Sequence, residues 1–201
     1  SWSLFKNPKR RILSVNVQAY DACKHGAISL VSDAKIALQA FGKALGSHRF
    51  VGADAKLRAD WAAAKAAVKA APTTGNRLPT DMQVVGTVNR TATPATIVMG
   101  AAGTMPGELH KIWDAAQGGY HMEYGFSCMG YEIAGALGIK MARPDADVIC
   151  MVGDGSYMMA NSELATAVMM GVGFTVVLTD NRGYGCINRL QKGTGGAPFN
   201  N

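Results

Sequence analysis

A glycine-flanked aspartate directly follows an apolar run and is well placed to bind a ligand. Residues 147–152 are typical of a buried strand, and Gly153-Asp154-Gly155-Ser156 comes immediately after them. The glycines allow a sharp turn that brings backbone amides close to an anion, and the start of a following helix supplies more donors. A carboxylate beside a phosphate is repulsive unless a divalent cation lies between them. The segment therefore predicts a phosphate site with Asp154 as a metal ligand.

A second loop offers further oxygen ligands for that metal. Residues 174–179 form another apolar run, which is followed by Asn181 and, two residues later, by Gly183. One helix of about ten residues between parallel neighbouring strands would return the chain to the same sheet edge and place Asn181 beside Asp154. The side-chain carbonyl of Asn181 and the backbone carbonyl of Gly183, with diphosphate oxygens and water, would complete the octahedron that Mg²⁺ prefers.

Two plainer interpretations compete with a metal and diphosphate site. A lone Gly-Asp-Gly is more often an ordinary turn. Here, however, both polar loops follow apolar strands, and one helix that starts near Asn161 separates the two strands. This combination is far more specific than a lone Gly-Asp-Gly. An ordinary dinucleotide fold would need a third glycine where Met158 stands, and it would not place an acid where the pyrophosphate approaches. The sequence also contains no Gly-x-x-x-x-Gly-Lys-Ser/Thr motif.

The elements that must position these two loops alternate between apolar strands and helices. We expect, in order, a helix at 82–89, a strand at 96–101, a loop, a helix at 129–141, a strand at 147–152, a helix at 161–170 and a strand at 174–179. Such alternation is typical of an α/β fold with a parallel sheet that helices cover on both faces. Ligands of such sheets bind at the carboxyl ends of the strands, where both loops lie.

The beginning of the chain is typical of the end of another α/β domain. It contains short β-branched runs at 12–17 and 27–31 and then an apolar helical pattern that Asp33 can cap. Residues 54–71 predict a connecting helix, and turn formers between two prolines follow at 72–79. We therefore divide the chain into the C-terminal part of a central α/β domain (1–50), a connecting helix and linker (51–79), and a diphosphate- and metal-binding domain that is incomplete at its C-terminus (80–201).

Composition excludes several classes of protein. With 48% hydrophobic and 17% charged residues the chain is neither disordered nor a coiled coil. The net charge of +6 comes from dispersed cations without interleaved aromatics, so we expect no nucleic-acid partner. No apolar run approaches the roughly 18 residues of a membrane span, and no Cys-x-x-Cys pair occurs, which favours a cytoplasmic protein with reduced thiols. The start at Ser1 and the unclosed end favour a fragment of a longer protein.

The two loops together resemble the signature of the thiamine diphosphate enzymes of the acetolactate synthase and pyruvate decarboxylase superfamily. That signature is Gly-Asp-Gly and, some two dozen residues later, Asn-Asn. In this sequence 24 residues (156–179) separate Gly153-Asp154-Gly155 from Asp180-Asn181. Asp180 replaces the first asparagine, but the second is the family's metal ligand. The resemblance implies that Mg²⁺ is held by Asp154, Asn181 and the carbonyl of Gly183.

The same resemblance implies which residues contact thiamine diphosphate. Met129 matches the family's bulky apolar residue that wedges between the two rings of the cofactor. If the signature were absent, packing at the start of a helix would be the preferred interpretation of this methionine. Gly103 and Thr104 match the first cofactor-contacting loop. The residues implied to bind the diphosphate are Gly153, Gly155, Ser156, Gly183, Tyr184 and Gly185.

Longer strings resemble one branch of this superfamily. Residues 101–113, 121–130 and 181–191 look like the enzymes of inositol catabolism that open a cyclic 1,2-diketone by hydrolytic carbon–carbon cleavage to give 5-deoxy-glucuronate. This implies a hydrolase that depends on thiamine diphosphate and Mg²⁺ and acts on a small-molecule substrate. A 2-keto acid ligase or decarboxylase of the acetolactate synthase type, and a non-catalytic cofactor-binding homologue, remain the alternatives.

The resemblance assigns no catalytic residue within this chain. In the family a glutamate on another domain, usually of a second subunit in a homodimer or homotetramer, hydrogen-bonds the aminopyrimidine, and all four glutamates here lie in the wrong domain. His110 and His121 are predicted to lie in loops that face the cofactor. They either relay protons near neutral pH or are hydrogen-bonded structural histidines.

Overall fold

The structure is a computed structural model that describes residues 5–49, 52, 54–71, 75–197 and 199. The chain forms two compact units, residues 1–53 and 54–201. The turn formers predicted at 72–74 lie outside the described residues. No helix within the described ranges is both long enough and apolar enough to cross a bilayer.

The first unit contains two parallel strands and a capped helix. Its elements are β1 (Leu13–Asn16), α1 (Ala19–Ala22), a 3-10 turn (Lys24–Gly26), β2 (Ile28–Val31) and α2 (Ala34–Leu45). β1 pairs with β2 in parallel, with Leu13 opposite Ile28. Asp33 caps α2 as predicted, because its Oδ1 accepts hydrogen bonds from the amides of Lys35 and Ile36 at 2.9 and 3.2 Å. Leu13 and Ile28 remain more than half exposed.

The second unit is built on one parallel sheet. Its elements are α3 (Ala55–Ala70), α4 (Asp81–Asn89), β3 (Thr96–Gly100), α5 (Thr104–Ile112), β4 (Tyr120–Met122), α6 (Tyr131–Ala142), β5 (Asp147–Gly153), α7 (Asp154–Met159), α8 (Glu163–Met169), β6 (Thr175–Thr179) and α9 (Gly185–Gly193). The strands pair in the order β4-β3-β5-β6, and every pairing is parallel. The predicted α/β fold class is confirmed.

Side chains of the central strands alternate between two buried clusters. Val98 and Ile149 pack with residues of α4 and α5 on one face, whereas Met99 and Cys150 pack with residues of α6 on the other. Successive residues of a strand point to opposite faces, so the apolar runs of β3 and β5 fill both clusters at once. Helices therefore cover both faces of the sheet, as the sequence pattern predicts.

The structure corrects the sequence prediction in the connections. α5 occupies the segment predicted as a loop. Its Pro106 does not prevent the helix, because it lies in the first turn, where a missing N–H costs no helical hydrogen bond. Two helices, α7 and α8, rather than one, connect β5 with β6. β4 has only three residues, too few for an alternating pattern to indicate a strand. The sequence pattern does not predict α9 either.

The four cysteines all lie in the described ranges and form no disulfide. Cys150 is buried in β5, and burial, together with the nearby charge of Glu132, raises the pKa of its thiol to about 12. Cys150 is therefore a neutral core residue at physiological pH.

Helix α3 packs closely against α4 at Gly86, and a matched pair of glycine variants tests this contact. A Cβ at Gly86 would lie 2.9 Å from the Cα of Lys69, whereas one at Gly138 in α6 would have no atom of the described residues within 4 Å. We expect Gly86→Ala to lower the free energy of unfolding by about 1 to 3 kcal/mol. Gly138→Ala should raise it by up to about 1 kcal/mol, because alanine is the better helix former. Denaturant unfolding measures both free energies, and native-state hydrogen exchange of the α3 and α4 amides shows whether the loss lies at this contact. Equal protection in the two variants would contradict the close approach.

Candidate functional site

Loops at the carboxyl edge of the sheet enclose a cavity of about 280 Å³. The segments that follow β3, β4, β5 and β6 all contribute to its walls. β4 lies on one side of β3 and β5 on the other, so the strand order reverses at β3. Open α/β sheets bind their ligands at such a point of reversal. The fold therefore places the cavity where a ligand is expected.

The structure brings all the cofactor and metal residues predicted from the sequence to this cavity. Its lining includes Gly103, Thr104, Met129, Gly153, Asp154, Gly155, Ser156, Asn181, Gly183, Tyr184 and Gly185. Loops and the first turns of α5, α7 and α9 supply them, although they span more than eighty positions of the sequence. Their common location follows from the parallel order of the strands, while their roles as ligands stay predictions.

Asp154 links the loop after β5 to the loop after β6. The two strands pair with Gly153 opposite Thr179, and the amide of Gly183 donates a 2.8 Å hydrogen bond to Oδ2 of Asp154. Oδ1 of the same carboxylate is buried and has no hydrogen-bond partner among the described residues. A buried carboxylate oxygen without a partner is costly, and a cation would satisfy it. The aspartate therefore fits a divalent metal with oxygen ligands.

The loop after β6 is held in a local turn that presents Asn181 and Gly183. Oδ1 of Asp180 accepts a 2.9 Å hydrogen bond from the amide of Arg182, whose φ is 60°. The carbonyl oxygen of an asparagine at 180 would accept the same bond, so the replacement of the family's first asparagine leaves this turn intact. Within the described residues no group of three His, Cys, Asp or Glu side chains could hold a metal. A cation beside Asp154 would therefore need amide and backbone oxygens.

Gly155 and Tyr184 form a second contact between the same two loops. A Cβ at Gly155 would lie 2.7 Å from two carbon atoms of the Tyr184 ring. Only glycine lets the ring approach the turn this closely. The aromatic ring therefore forms one wall of the cavity directly above the first residues of α7.

Ser156 lines the cavity, but its hydroxyl is not free to bind a phosphate. The Ser156 Oγ donates to the carboxylate of Glu132 at 2.7 Å and accepts a 2.8 Å bond from the amide of Gly130. A hydroxyl can donate only one hydrogen bond, and here the carboxylate of Glu132 accepts it. The predicted contact between Ser156 and a diphosphate can therefore involve only its main chain.

The two histidines do not lie where the sequence predicted. His110 is exposed in the last turn of α5, with its ring centroid 6.3 Å from that of Tyr120. His121 lies in β4, with its Nε2 3.3 Å from the hydroxyl of Tyr131. The prediction that both lie in loops is wrong, and neither lines the cavity. Their contacts with tyrosines favour the structural interpretation.

The structure adds Asp81 to the cavity lining. It is the first residue of α4, which begins at a capping box formed by Thr80 and Gln83. Burial raises the pKa of the Asp81 carboxyl, the Arg189 charge opposes that shift, and the Glu108 charge adds to it. The Thr80-x-x-Gln83 pattern could have located this helix start. No sequence pattern predicts that α4 lies beside the cavity.

Comparisons with known proteins agree with this geometry. Residues 101–201 match the family model for the C-terminal TPP binding domain of thiamine pyrophosphate enzymes. The chain is 37% identical over 212 residues to a 3D-(3,5/4)-trihydroxycyclohexane-1,2-dione hydrolase of Geobacillus thermodenitrificans, a match covering 94% of this chain and 33% of that protein. The 3D-(3,5/4)-trihydroxycyclohexane-1,2-dione hydrolase 2 of Bacillus cereus is 37% identical, and the match covers 99% of this chain and 35% of that protein. The hydrolase of Clostridium perfringens is 36% identical, and the match covers 97% of this chain and 35% of that protein.

The chain thus spans about a third of the length of these curated relatives. The family model covers the part that contains β4, β5 and β6 and the loops that follow them, including Asp154 and Asn181. With half of its residues matched by that model, the chain belongs to the thiamine pyrophosphate enzyme family, whose C-terminal cofactor-binding domain it carries.

Proposed function

We propose that the protein containing this chain binds thiamine diphosphate and Mg²⁺ and hydrolyses a carbon–carbon bond of a cyclic 1,2-diketone. The substrate would be trihydroxycyclohexane-1,2-dione and the product 5-deoxy-glucuronate, in the degradation of myo-inositol. The cofactor proposal rests on one observation: Oδ1 of Asp154 is buried in a cavity at the sheet edge and has no hydrogen-bond partner in the part of the chain that the structure describes. The names of the relatives support the substrate.

Three protein oxygens are proposed to hold the metal: Oδ1 of Asp154, the side-chain carbonyl of Asn181 and the backbone carbonyl of Gly183. Two of these residues come from the loop that the Gly183 amide already ties to Asp154 at 2.8 Å. Mg²⁺ prefers few protein ligands and keeps substrate oxygens and water in its remaining positions. The metal would thereby neutralise the repulsion between Asp154 and a diphosphate.

The cavity also suits the organic part of the cofactor. Met129 and Met105 give it apolar walls, and Gly103, with φ of 110°, turns the chain into α5 beside Thr104. The chemistry that thiamine diphosphate supplies when bound is the stabilisation of a carbanion at a former carbonyl carbon. The chain's own side chains are proposed to bind and orient the cofactor, and none of them to transfer a proton.

Other parts of the active enzyme are proposed to come from outside this chain. Residues 1–50 would complete a central α/β domain, and the exposed Leu13 and Ile28 would pack against its remainder. A second subunit of a homodimer or homotetramer would contribute the pyrimidine-binding domain and the catalytic glutamate. The protein is proposed to act in the cytoplasm, without a nucleic-acid or membrane partner.

Metal removal and substrate choice test this proposal in the full-length protein. We expect conversion of the cyclic diketone, followed by mass spectrometry of the open-chain acid, to fall to background after EDTA treatment and to return with Mg²⁺ and thiamine diphosphate. Pyruvate serves as the competing substrate. Conversion of pyruvate alone would instead indicate a ligase or decarboxylase, and cofactor binding with no turnover of either substrate would indicate a non-catalytic homologue.

A further inference from the structure

A buried glutamate behind the cavity has no part in the function proposed above. Glu132 is 1% exposed and does not line the cavity. Among the described residues it forms no ion pair with a lysine, arginine or histidine. A buried carboxylate is stable only when donors surround it, so its hydrogen bonds indicate what it holds in place.

Two donors converge on this carboxylate, one from the residue that precedes α6 and one from the first turn of α7. The Ser156 hydroxyl lies 2.7 Å from both of its oxygens, and the amide of Gly130 donates to Oε2 at 3.0 Å. The same amide lies 2.8 Å from the Ser156 Oγ, so the three groups form a closed ring of hydrogen bonds. Glu132 is the second residue of α6, where the helix dipole also favours a negative charge.

The ring joins the two walls of the cavity that carry different parts of the site. Gly130 directly follows Met129 in the segment after β4, and Ser156 lies two residues after Asp154 in the turn after β5. The approach is close: a Cβ at Gly130 would lie 3.2 Å from the Cβ of Ala160, and the φ of Gly130 is 91°. Hydrogen bonds of Glu132 thus connect the segment that contains Met129 with the segment that contains Asp154.

We propose that Glu132 is a positioning residue that sets the distance between the Met129 wall and the metal-binding turn before any ligand enters. The proposal rests on the proposed function for the identity of that ligand. A ligand that spans both walls should depend on Glu132, because preorganised contacts bind more tightly than contacts that must first be ordered. A ligand held by the metal-binding turn alone should not.

Two probes of different length test this proposal in the full-length protein. In the proposed binding mode thiamine diphosphate would contact both walls, whereas inorganic pyrophosphate with Mg²⁺ would contact only the metal-binding turn. We expect Glu132→Gln to raise the Kd of thiamine diphosphate about 10-fold, as for other residues that orient a ligand-binding group, and to leave the Kd of Mg²⁺-pyrophosphate unchanged in calorimetry. Faster hydrogen exchange of the Gly130 amide in the cofactor-free protein should accompany the loss.

Glu163→Gln is the matched control, because Glu163 begins α8 with a helix N-terminal charge but lines no part of the cavity. It should alter neither Kd. Ser156→Ala removes the hydroxyl from the ring, and Glu132→Gln removes the charge that strengthens its hydrogen bonds. The two variants should therefore have similar effects, and the double variant should be no weaker than either single one, since both weaken the same ring. Should Glu132→Gln not fold, Ser156→Ala gives the same comparison of the two probes.

The outcomes separate the positioning role from the proposed function. An unchanged Kd for thiamine diphosphate in both ring variants would overturn the positioning role, as would an equal loss for the two probes, which is what general damage to the site produces. Failure of the wild-type protein to bind either probe would overturn the proposed function and the positioning role with it.

Discussion

Asp154→Asn should raise the Kd of thiamine diphosphate in the presence of Mg²⁺ by at least about 100-fold in the full-length protein. Loss of a residue that merely orients a metal ligand costs about 10- to 100-fold, and Asp154 is proposed as a ligand itself. Its Oδ1 is buried and has no hydrogen-bond partner among the described residues, and a cation would satisfy it. Calorimetric titration with and without EDTA measures the metal-dependent part of the affinity.

The asparagine variant keeps the fold intact while it removes the charge. Its side-chain oxygen can still accept the bond from the Gly183 amide that Oδ2 accepts at 2.8 Å, so we expect the free energy of unfolding to change by less than about 1 kcal/mol. Asp145→Asn is the control, since it makes the same change of charge on an exposed side chain, and its Kd should equal that of the wild type. Equal affinity of Asp154→Asn and wild type would refute the metal assignment.

The core of the fold and the location of the site could be predicted from the sequence. The apolar runs of β3, β5 and β6 are long enough to identify buried strands, and a parallel sheet necessarily brings their carboxyl ends to one edge. Asp154 follows β5 and Asn181 follows β6, so the two residues lie at the same edge when these strands are neighbours. Gly153 opposite Thr179 is the register that makes this so.

The remaining features depend on contacts that no local pattern contains. A proline usually indicates a break in a helix, but Pro106 lies in the first turn of α5, and packing of Leu109 and Ile112 in the core stabilises the helix. The sequence predicts a loop at His121 because β4 has only three residues. It gives Glu132 no role at all, since that role depends on the meeting of two loops, at Gly130 and Ser156, that are far apart in the sequence.

Gly155→Ala should lower the affinity for thiamine diphosphate about 10- to 100-fold, because overpacking costs about 1 to 3 kcal/mol and each loss of about 1.4 kcal/mol from binding is tenfold in Kd. The added methyl would lie 2.7 Å from the Tyr184 ring, which must move away from the turn. We also expect the free energy of unfolding to fall by about 1 to 3 kcal/mol, the usual cost of overpacking, although alanine is the better helix former in α7. Calorimetry and thermal unfolding of the full-length variant measure the two effects.

Gly153→Ala, two residues earlier, is the control. It shows whether the loss comes from the clash with the ring or whether any alanine in this turn lowers stability. Gly153 has φ of −81°, and a Cβ there would lie within 4 Å of no atom in the described ranges, so the free energy of unfolding of this variant should be unchanged or raised by up to about 1 kcal/mol. The loss caused by Gly155→Ala should also shrink when Tyr184→Ala is already present, because the colliding ring is gone. Equal losses of stability with and without the Tyr184→Ala substitution would show that the two loops do not meet at this ring. The cavity would then need another explanation for the glycine at 155.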